Sequence, residues 1–68
     1  MMDMDTIIFE ISTEDAHGRI RLETKHPIYS KYNTTASDRR HLFVEMNHIA
    51  DQMNNGEGMG VAFTVEGM

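Results

Sequence analysis

DRRHLFVEMNHIADQMN, residues 38–54, is the stretch that decides the fold, because it carries the clearest helical period in the chain. At about 100° per residue, its large apolar side chains fall within an arc of roughly 120°. An apolar stripe of that width is typical of a helix that packs one face on a core. We therefore predict a helix over 38–54 with the core-facing residues Leu42, Phe43, Met46, Ile49, Ala50 and Met53.

Alternation of apolar and polar residues on both sides of this helix predicts three strands. They are expected over 6–12, 19–25 and 60–66. Gly18 is the natural residue to close a tight turn between the first two strands, since glycine tolerates a positive φ. The apolar sets expected to face the core are Ile7, Phe9 and Ile11, then Ile20, Leu22 and Thr24, then Val61, Phe63 and Val65.

The resulting element order is β-β-α-β, which predicts one small α+β domain over residues 1–68. Short connections favour a three-stranded antiparallel sheet with strand order 2-1-3 and the helix packed on one face. In the hairpin, charge favours Glu10 opposite Arg21 over Glu10 opposite Glu23. The helix is expected to begin at an N-cap formed by Ser37 or Thr35.

Composition narrows the setting of the protein. The chain has no cysteine, so disulfides, a thiol nucleophile and a cysteine zinc site are excluded. Its first residues, MMDMD, carry acids where a secretory signal needs a basic region, and no apolar run approaches the length of a membrane span. These features predict a cytoplasmic protein without a membrane partner.

The polar side of the helix holds the one constellation that resembles a metal site. His41, Glu45 and His48 are spaced i, i+4, i+7 and so share a helix face. The HExxH motif is absent, and a solvated face with His–Glu pairs explains the three side chains better than a metal site does. No spacing selects a nucleophile with its base. We therefore expect a protein that is not an enzyme and has no metal or cofactor.

Charge is segregated along the chain. The formal net charge is −5, and residues 1–15, 16–41 and 42–68 contribute −5, +4 and −4. An acidic balance argues against direct nucleic-acid binding, whose affinity comes largely from neutralising phosphates. It favours a protein partner with a basic surface.

In its size, its acidic charge and its element order, the chain resembles the small phage-encoded anti-defence proteins, among them the anti-CRISPR inhibitors. The resemblance covers the whole chain but rests on no motif, so no site of that group transfers to particular residues. It implies a non-enzymatic inhibitor whose acidic residues occupy a basic nucleic-acid-binding surface.

Two functional hypotheses follow from these patterns. The first is a protein-binding inhibitor that presents acidic residues, together with one apolar residue on the outer helix face, to a basic partner. The partner-binding residues predicted on this hypothesis are Glu10, Glu14, Asp15, Val44, Asp51, Glu57 and Glu66. The alternative is a small dimeric regulatory or structural domain that contacts nucleic acid or a protein through its basic middle segment. The basic residues concerned are Arg19, Arg21, Lys25, Arg39 and Arg40, and a homodimer would form through the sheet face or an exposed strand edge.

Overall fold

The computed structural model describes residues 6–13 and 18–65, and it has the α+β class that the sequence predicts. A single α-helix lies against a four-stranded mixed sheet in this part of the chain. The elements are β1 (Thr6–Ser12), β2 (Ile20–Glu23), a 3₁₀ helix (Tyr29–Tyr32), β3 (Thr34–Ala36), α1 (Arg39–Asp51), a π-helix (Gln52–Glu57) and β4 (Gly60–Val65).

The sheet has the strand order β3-β2-β1-β4, so the prediction of three antiparallel strands is wrong in both count and direction. The last strand does lie beside the first, but β4 runs parallel to β1. The cause is β3, which pairs antiparallel with β2 and reverses the chain once more before the helix. The helix therefore starts at the other end of the sheet, and β4 returns in the direction of β1.

The two ends of the sheet are named after the first and last residues of β1. The Ser12 end is the end at which β1 finishes; strand pairing places Ile20, Ala36 and Val65 there too. The Thr6 end is the opposite one, where β1 and β4 begin with the pair Thr6 and Gly60. Because α1 follows β3, it begins at the Ser12 end and runs toward the Thr6 end.

The hairpin register differs by two residues from the predicted one. Glu10 lies opposite Glu23, and Ser12 lies opposite Arg21. A shift of two residues keeps every side chain on its own face, so the apolar core does not choose between the registers. The charge preference is worth only about 0.2–1 kcal/mol per pair. The charge of Glu23 is also balanced on its own strand, because Arg21 Nη2 lies 2.8 Å from Glu23 Oε2.

The core lies between α1 and one face of the sheet, and the strand residues predicted to point inward from β1 and β2 are confirmed as buried. Phe9, Leu22 and Met53 are fully buried at its centre. The ring of Phe9 packs against that of Phe63 with a centroid separation of 6.1 Å. The buried hydrophobic residues are Ile7, Phe9, Ile11, Ile20, Leu22, Ala36, Ile49 and Met53.

Beyond Glu23, the amide of Asn33 continues the pairing between the second and third strands. Asn33 Oδ1 accepts from the backbone N–H of Thr24 at 2.9 Å, and Asn33 Nδ2 donates to the Thr24 carbonyl at 3.4 Å. Thr24 is only 5% exposed, so its backbone groups need partners inside the protein. The side chain of Asn33 thus replaces one residue of a strand.

The helix cap lies one residue after Ser37 and three residues after Thr35, the two predicted caps. Asp38 is the N-cap, and its Oδ1 accepts from the backbone N–H of His41 at 2.9 Å. Thr35 belongs to β3 instead. Beyond Asp51 the helix widens into the π-helix, which ends at its C-cap Gly58. The φ of Gly58 is 69°, a left-handed value that suits glycine.

The apolar stripe of the helix is only partly confirmed. Ile49 and Met53 are buried, and Leu42, Met46 and Ala50 are half-buried, but Phe43 is 64% exposed. Phe43 lies at one edge of the predicted arc, whereas Ile49 lies at the other. Since α1 packs mainly against β3 and the π-helix contacts β4, the helix is rotated toward its Ile49 edge. No helix in the described ranges is long and apolar enough to cross a membrane.

Candidate interaction surface

The seven predicted partner-binding residues do not form one continuous surface. Glu14, Asp15 and Glu66 lie outside the described residues. Glu10 is on the sheet face that α1 leaves open, while Val44 and Asp51 are on the helix. Glu57 ends the π-helix. Any common partner would have to contact three separate regions.

Glu10 is half-buried on the open face, where it is flanked by Glu23 of β2 and Thr64 of β4. It borders a depression of about 400 Å³ at the Thr6 end, which is lined in part by Ile8, itself 52% exposed. Lys25 and His26 also line this depression. The sequence did not predict the depression, because it arises where β1 continues past the last paired residue of β2.

Glu57 is already bound within the chain. Its Oε2 accepts from the Tyr32 hydroxyl at 2.6 Å and lies 3.5 Å from Lys31 Nζ. The hydrogen bond from Tyr32 lowers the pKa of Glu57 below its usual range, and the Lys31 charge acts in the same direction. The same bond raises the pKa of Tyr32. Glu57 therefore already takes part in a contact that joins the π-helix to the 3₁₀ helix.

Asp51 and Val44 are more accessible. Asp51 is exposed and accepts from Asn55 Nδ2 at 3.2 Å. The side chain of Val44 is 48% exposed, as the sequence predicts for this position. The two residues are two helical turns apart, which separates them by about 10 Å along the helix axis. They can belong to one contact on the outer helix face, but Glu10 cannot join it, since it lies on the far side of the sheet.

The side chain of His41 contacts two polar residues at the start of the helix. Its Nδ1 lies 2.9 Å from Ser37 Oγ and 3.1 Å from Asp38 Oδ1. The bond from the backbone N–H of His41 is the main cause that lowers the pKa of Asp38. Glu45 and His48 line a separate depression of about 260 Å³ beside Lys31. Within residues 6–13 and 18–65, no three His, Asp or Glu side chains are grouped so that they could hold a metal ion.

The charge balance of the described residues differs from that of the whole chain. Residues 6–13 and 18–65 contain six acidic and six basic residues, so their formal net charge is zero. The surplus of five acids belongs to the rest of the chain. These acids are Asp3, Asp5, Glu14, Asp15 and Glu66.

Several basic residues collect at the Ser12 end, on its β2 and β3 side. Arg19 precedes β2, and Arg21 lies opposite Thr35 of β3. Arg39 and Arg40 are exposed in the first turn of α1. A positive charge is unfavourable there, because the N-terminus of a helix carries the positive end of its dipole. The two arginines therefore do not stabilise the start of the helix through its dipole.

Comparison of the chain with protein-family models, curated proteins and solved structures found no match.

Proposed function

We propose that this protein is a non-enzymatic binding module that inhibits a partner by presenting acidic residues to a basic surface. The partner class is a nucleic-acid-binding complex of the kind that anti-CRISPR proteins block. The contact is centred on the Ser12 end of the sheet, on the side of β1 and β4. It uses Glu14, Asp15 and Glu66.

The parallel pairing of β1 and β4 is the observation that supports this proposal. Ile11 lies opposite Val65, so these two neighbouring strands finish at the same end of the sheet. Glu14 and Asp15 follow β1 closely along the chain, and Glu66 follows Val65 directly. In the predicted antiparallel sheet, Val65 would have been at the opposite end. The two strands that precede these acidic residues in the sequence thus finish side by side.

Electroneutrality of the described residues supports the same assignment. Residues 6–13 and 18–65 are neutral overall and add little long-range attraction for a basic partner. The five surplus acids therefore provide most of that attraction. Asp51 and Glu57 are less suited to this contact, since both lie toward the Thr6 end and Glu57 is held by Tyr32. Glu10 and Val44 serve as contacts only for a partner that reaches around the sheet or the helix.

Interference with a CRISPR effector is the direct test. The purified protein is mixed with a panel of effector complexes, and target cleavage and complex formation are measured. We expect inhibition of at least one effector, competition with nucleic acid, and an affinity that falls as salt shortens the screening length from about 10 Å at 0.1 M to about 3 Å at 1 M. Salt-independent binding, or no inhibition of any effector, would contradict the proposal.

A matched pair of variants locates the contact. Glu14→Gln combined with Asp15→Asn removes two charges from the proposed surface. Asp51→Asn combined with Glu45→Gln removes two charges from the helix and serves as the control. We expect only the first pair to weaken inhibition. Equal effects would mean that total charge, rather than position, determines binding.

A second function is favoured by the two exposed arginines in the first turn of α1. Together with Arg19 they would suit an anionic ligand such as nucleic acid, in keeping with a regulatory domain. A gel shift with random duplex and single-stranded DNA distinguishes this function from the first. Binding that is lost in Arg39→Gln combined with Arg40→Gln would favour it.

A further inference from the structure

The outer edge of β4 is the longest unprotected strand edge in the described part of the chain. β4 has six residues, whereas β3 at the other edge of the sheet has three and leads directly into the helix. Its sequence, GVAFTV, contains no charge and no proline. Natural sheets protect their edges with short strands, charged residues, proline or bulges. The uncharged β4 edge carries none of the first three.

The core-side residues of β4 are also incompletely covered. Val61 and Phe63 are half-buried, and Val65 is 55% exposed although its neighbours Ile11 and Phe9 are buried. Phe43 on the helix is exposed as well. Glu45 and His48 line the depression on the β3 side, and Phe43 projects about 140–160° away from each of them around the helix. It therefore lies toward the β4 side of the core.

We infer that two copies of the protein associate by antiparallel pairing of their β4 edges, which forms one continuous eight-stranded sheet. A second copy is the proposed occupant because its β4 edge is equally uncharged and its Val65 equally exposed, and because such isologous pairing closes at two. The new outer edges are the two short β3 strands, so the assembly does not grow further. Antiparallel pairing also places the two Val65 residues at opposite ends of the interface.

The register follows from the pleat. Directly opposed residues in an antiparallel pair point to the same face of the sheet. A two-fold axis perpendicular to the sheet must then pass midway between one β4 residue and the same residue of the second copy. With Phe63 on the axis, Val61 lies against Val65 of the second copy, and Ala62 lies against Thr64 of the second copy. This register covers the most exposed apolar residue of the strand.

The uncharged edge suits this occupant better than it suits the basic partner proposed above. A polycation gains nothing from a strand without acids, whereas an identical uncharged edge meets no repulsion along its length. The inference does not rest on the proposed function, and neither Glu14 nor Asp15 takes part in the pairing.

Sedimentation equilibrium over a roughly hundredfold range of protein concentration tests the association. We expect the mass to rise from 7.8 kDa toward twice that value. Val65→Lys should weaken dimerisation by roughly tenfold or more, because a lysine is then placed against an apolar residue of the second copy. Thr35→Lys, an exposed position on the opposite edge, is the matched control and should leave it unchanged. Circular dichroism verifies that both variants fold.

Cross-linking tests the strand pairing without weakening it. The chain has no cysteine, so Ala62→Cys combined with Thr64→Cys supplies the only thiols. Opposed residues come close enough for a disulfide, and we expect a reducible dimer on oxidation. Thr64→Cys alone should not cross-link, since it faces Ala62. A monomer throughout the concentration range, a dimer that resists Val65→Lys but not Thr35→Lys, or a dimer that fails to cross-link would each overturn the inference.

Discussion

Met53 and Phe43 belong to the same predicted apolar stripe, but the structure places them in opposite environments. Met53 is fully buried, and Phe43 is 64% exposed. Replacing a fully buried methionine with alanine costs about 2–5 kcal/mol, from lost transfer free energy and the cavity that remains. A domain of this length has a total stability of about 3–10 kcal/mol. We therefore expect Met53→Ala to remove a large fraction of the free energy of unfolding.

Phe43→Ala should behave differently despite the larger side chain that is removed. Most of the ring is already in water, and alanine is the better helix former by about 0.5 kcal/mol. We expect a net change within about 0.5 kcal/mol of zero. Met46→Ala, with the same chemistry as Met53→Ala at a half-buried position, should fall between the two.

Urea unfolding followed by far-UV circular dichroism measures all three variants at one protein concentration, which keeps any dimer contribution constant. With a slope of about 1–2 kcal/mol/M, Met53→Ala should lower the midpoint by about 1 M or more at unchanged slope. If Phe43→Ala costs as much as Met53→Ala, the helix is rotated differently from the structure.

Two further predictions concern side chains that hold backbone groups. The pKa of Asp38 is lowered in the folded state, so its contribution is present above the pKa of the unfolded chain and is lost as pH falls through the folded value. The melting temperature of the wild type should therefore fall more steeply in acid than that of Asp38→Ser, which caps without titrating; parallel pH profiles from calorimetry would contradict this. Asn33→Ala should cost about 1–3 kcal/mol, because it leaves the buried N–H of Thr24 without its partner. Hydrogen exchange of the Thr24 amide should accelerate, whereas Asn55→Ala, which removes only an exposed bond to Asp51, should leave it unchanged.

The sequence predicted the elements whose period is long enough to be read. β1 has the predicted range, and its inward residues Ile7, Phe9 and Ile11 are buried, because seven alternating residues define a face. The helix was found for the same reason. Its rotation was not found, since a stripe of about 120° does not say which of its edges meets the sheet.

The missed strand explains most of what the sequence could not predict. β3 has three residues, too few for a period, and lies in a polar segment where no strand was predicted. Its pairing depends on contacts with β2, which are not local. The prediction of the hairpin register was wrong for a related reason, because Arg21 lies next to Glu23 on its own strand and balances its charge there. Both errors concern tertiary pairing rather than local preference.

The candidate surface was predicted residue by residue from charge, and charge alone does not distinguish a free carboxylate from an occupied one. Glu57 illustrates this, since its partner Tyr32 is 25 residues away in the chain. Asp38 was expected in the first helical turn, and it proves to be the cap itself. Proximity in the fold, not residue type, decides which acids are available to a partner.

The arrangement of charge in this protein depends on β3 more than on any acidic residue. Because β3 adds one reversal, α1 begins at the Ser12 end and β4 ends there, beside β1. Without that reversal, Val65 would finish at the Thr6 end, and β1 and β4 would finish at opposite ends of the sheet. β4 would be an outer strand even without that reversal, but it would then run antiparallel to β1. A strand of three residues thus determines where the proposed acidic contact lies, whereas the proposed dimer interface needs only the outer position of β4. The two nevertheless remain separable, because Val65→Lys is aimed at the edge and neutralisation of Glu14 and Asp15 is aimed at the end of the sheet.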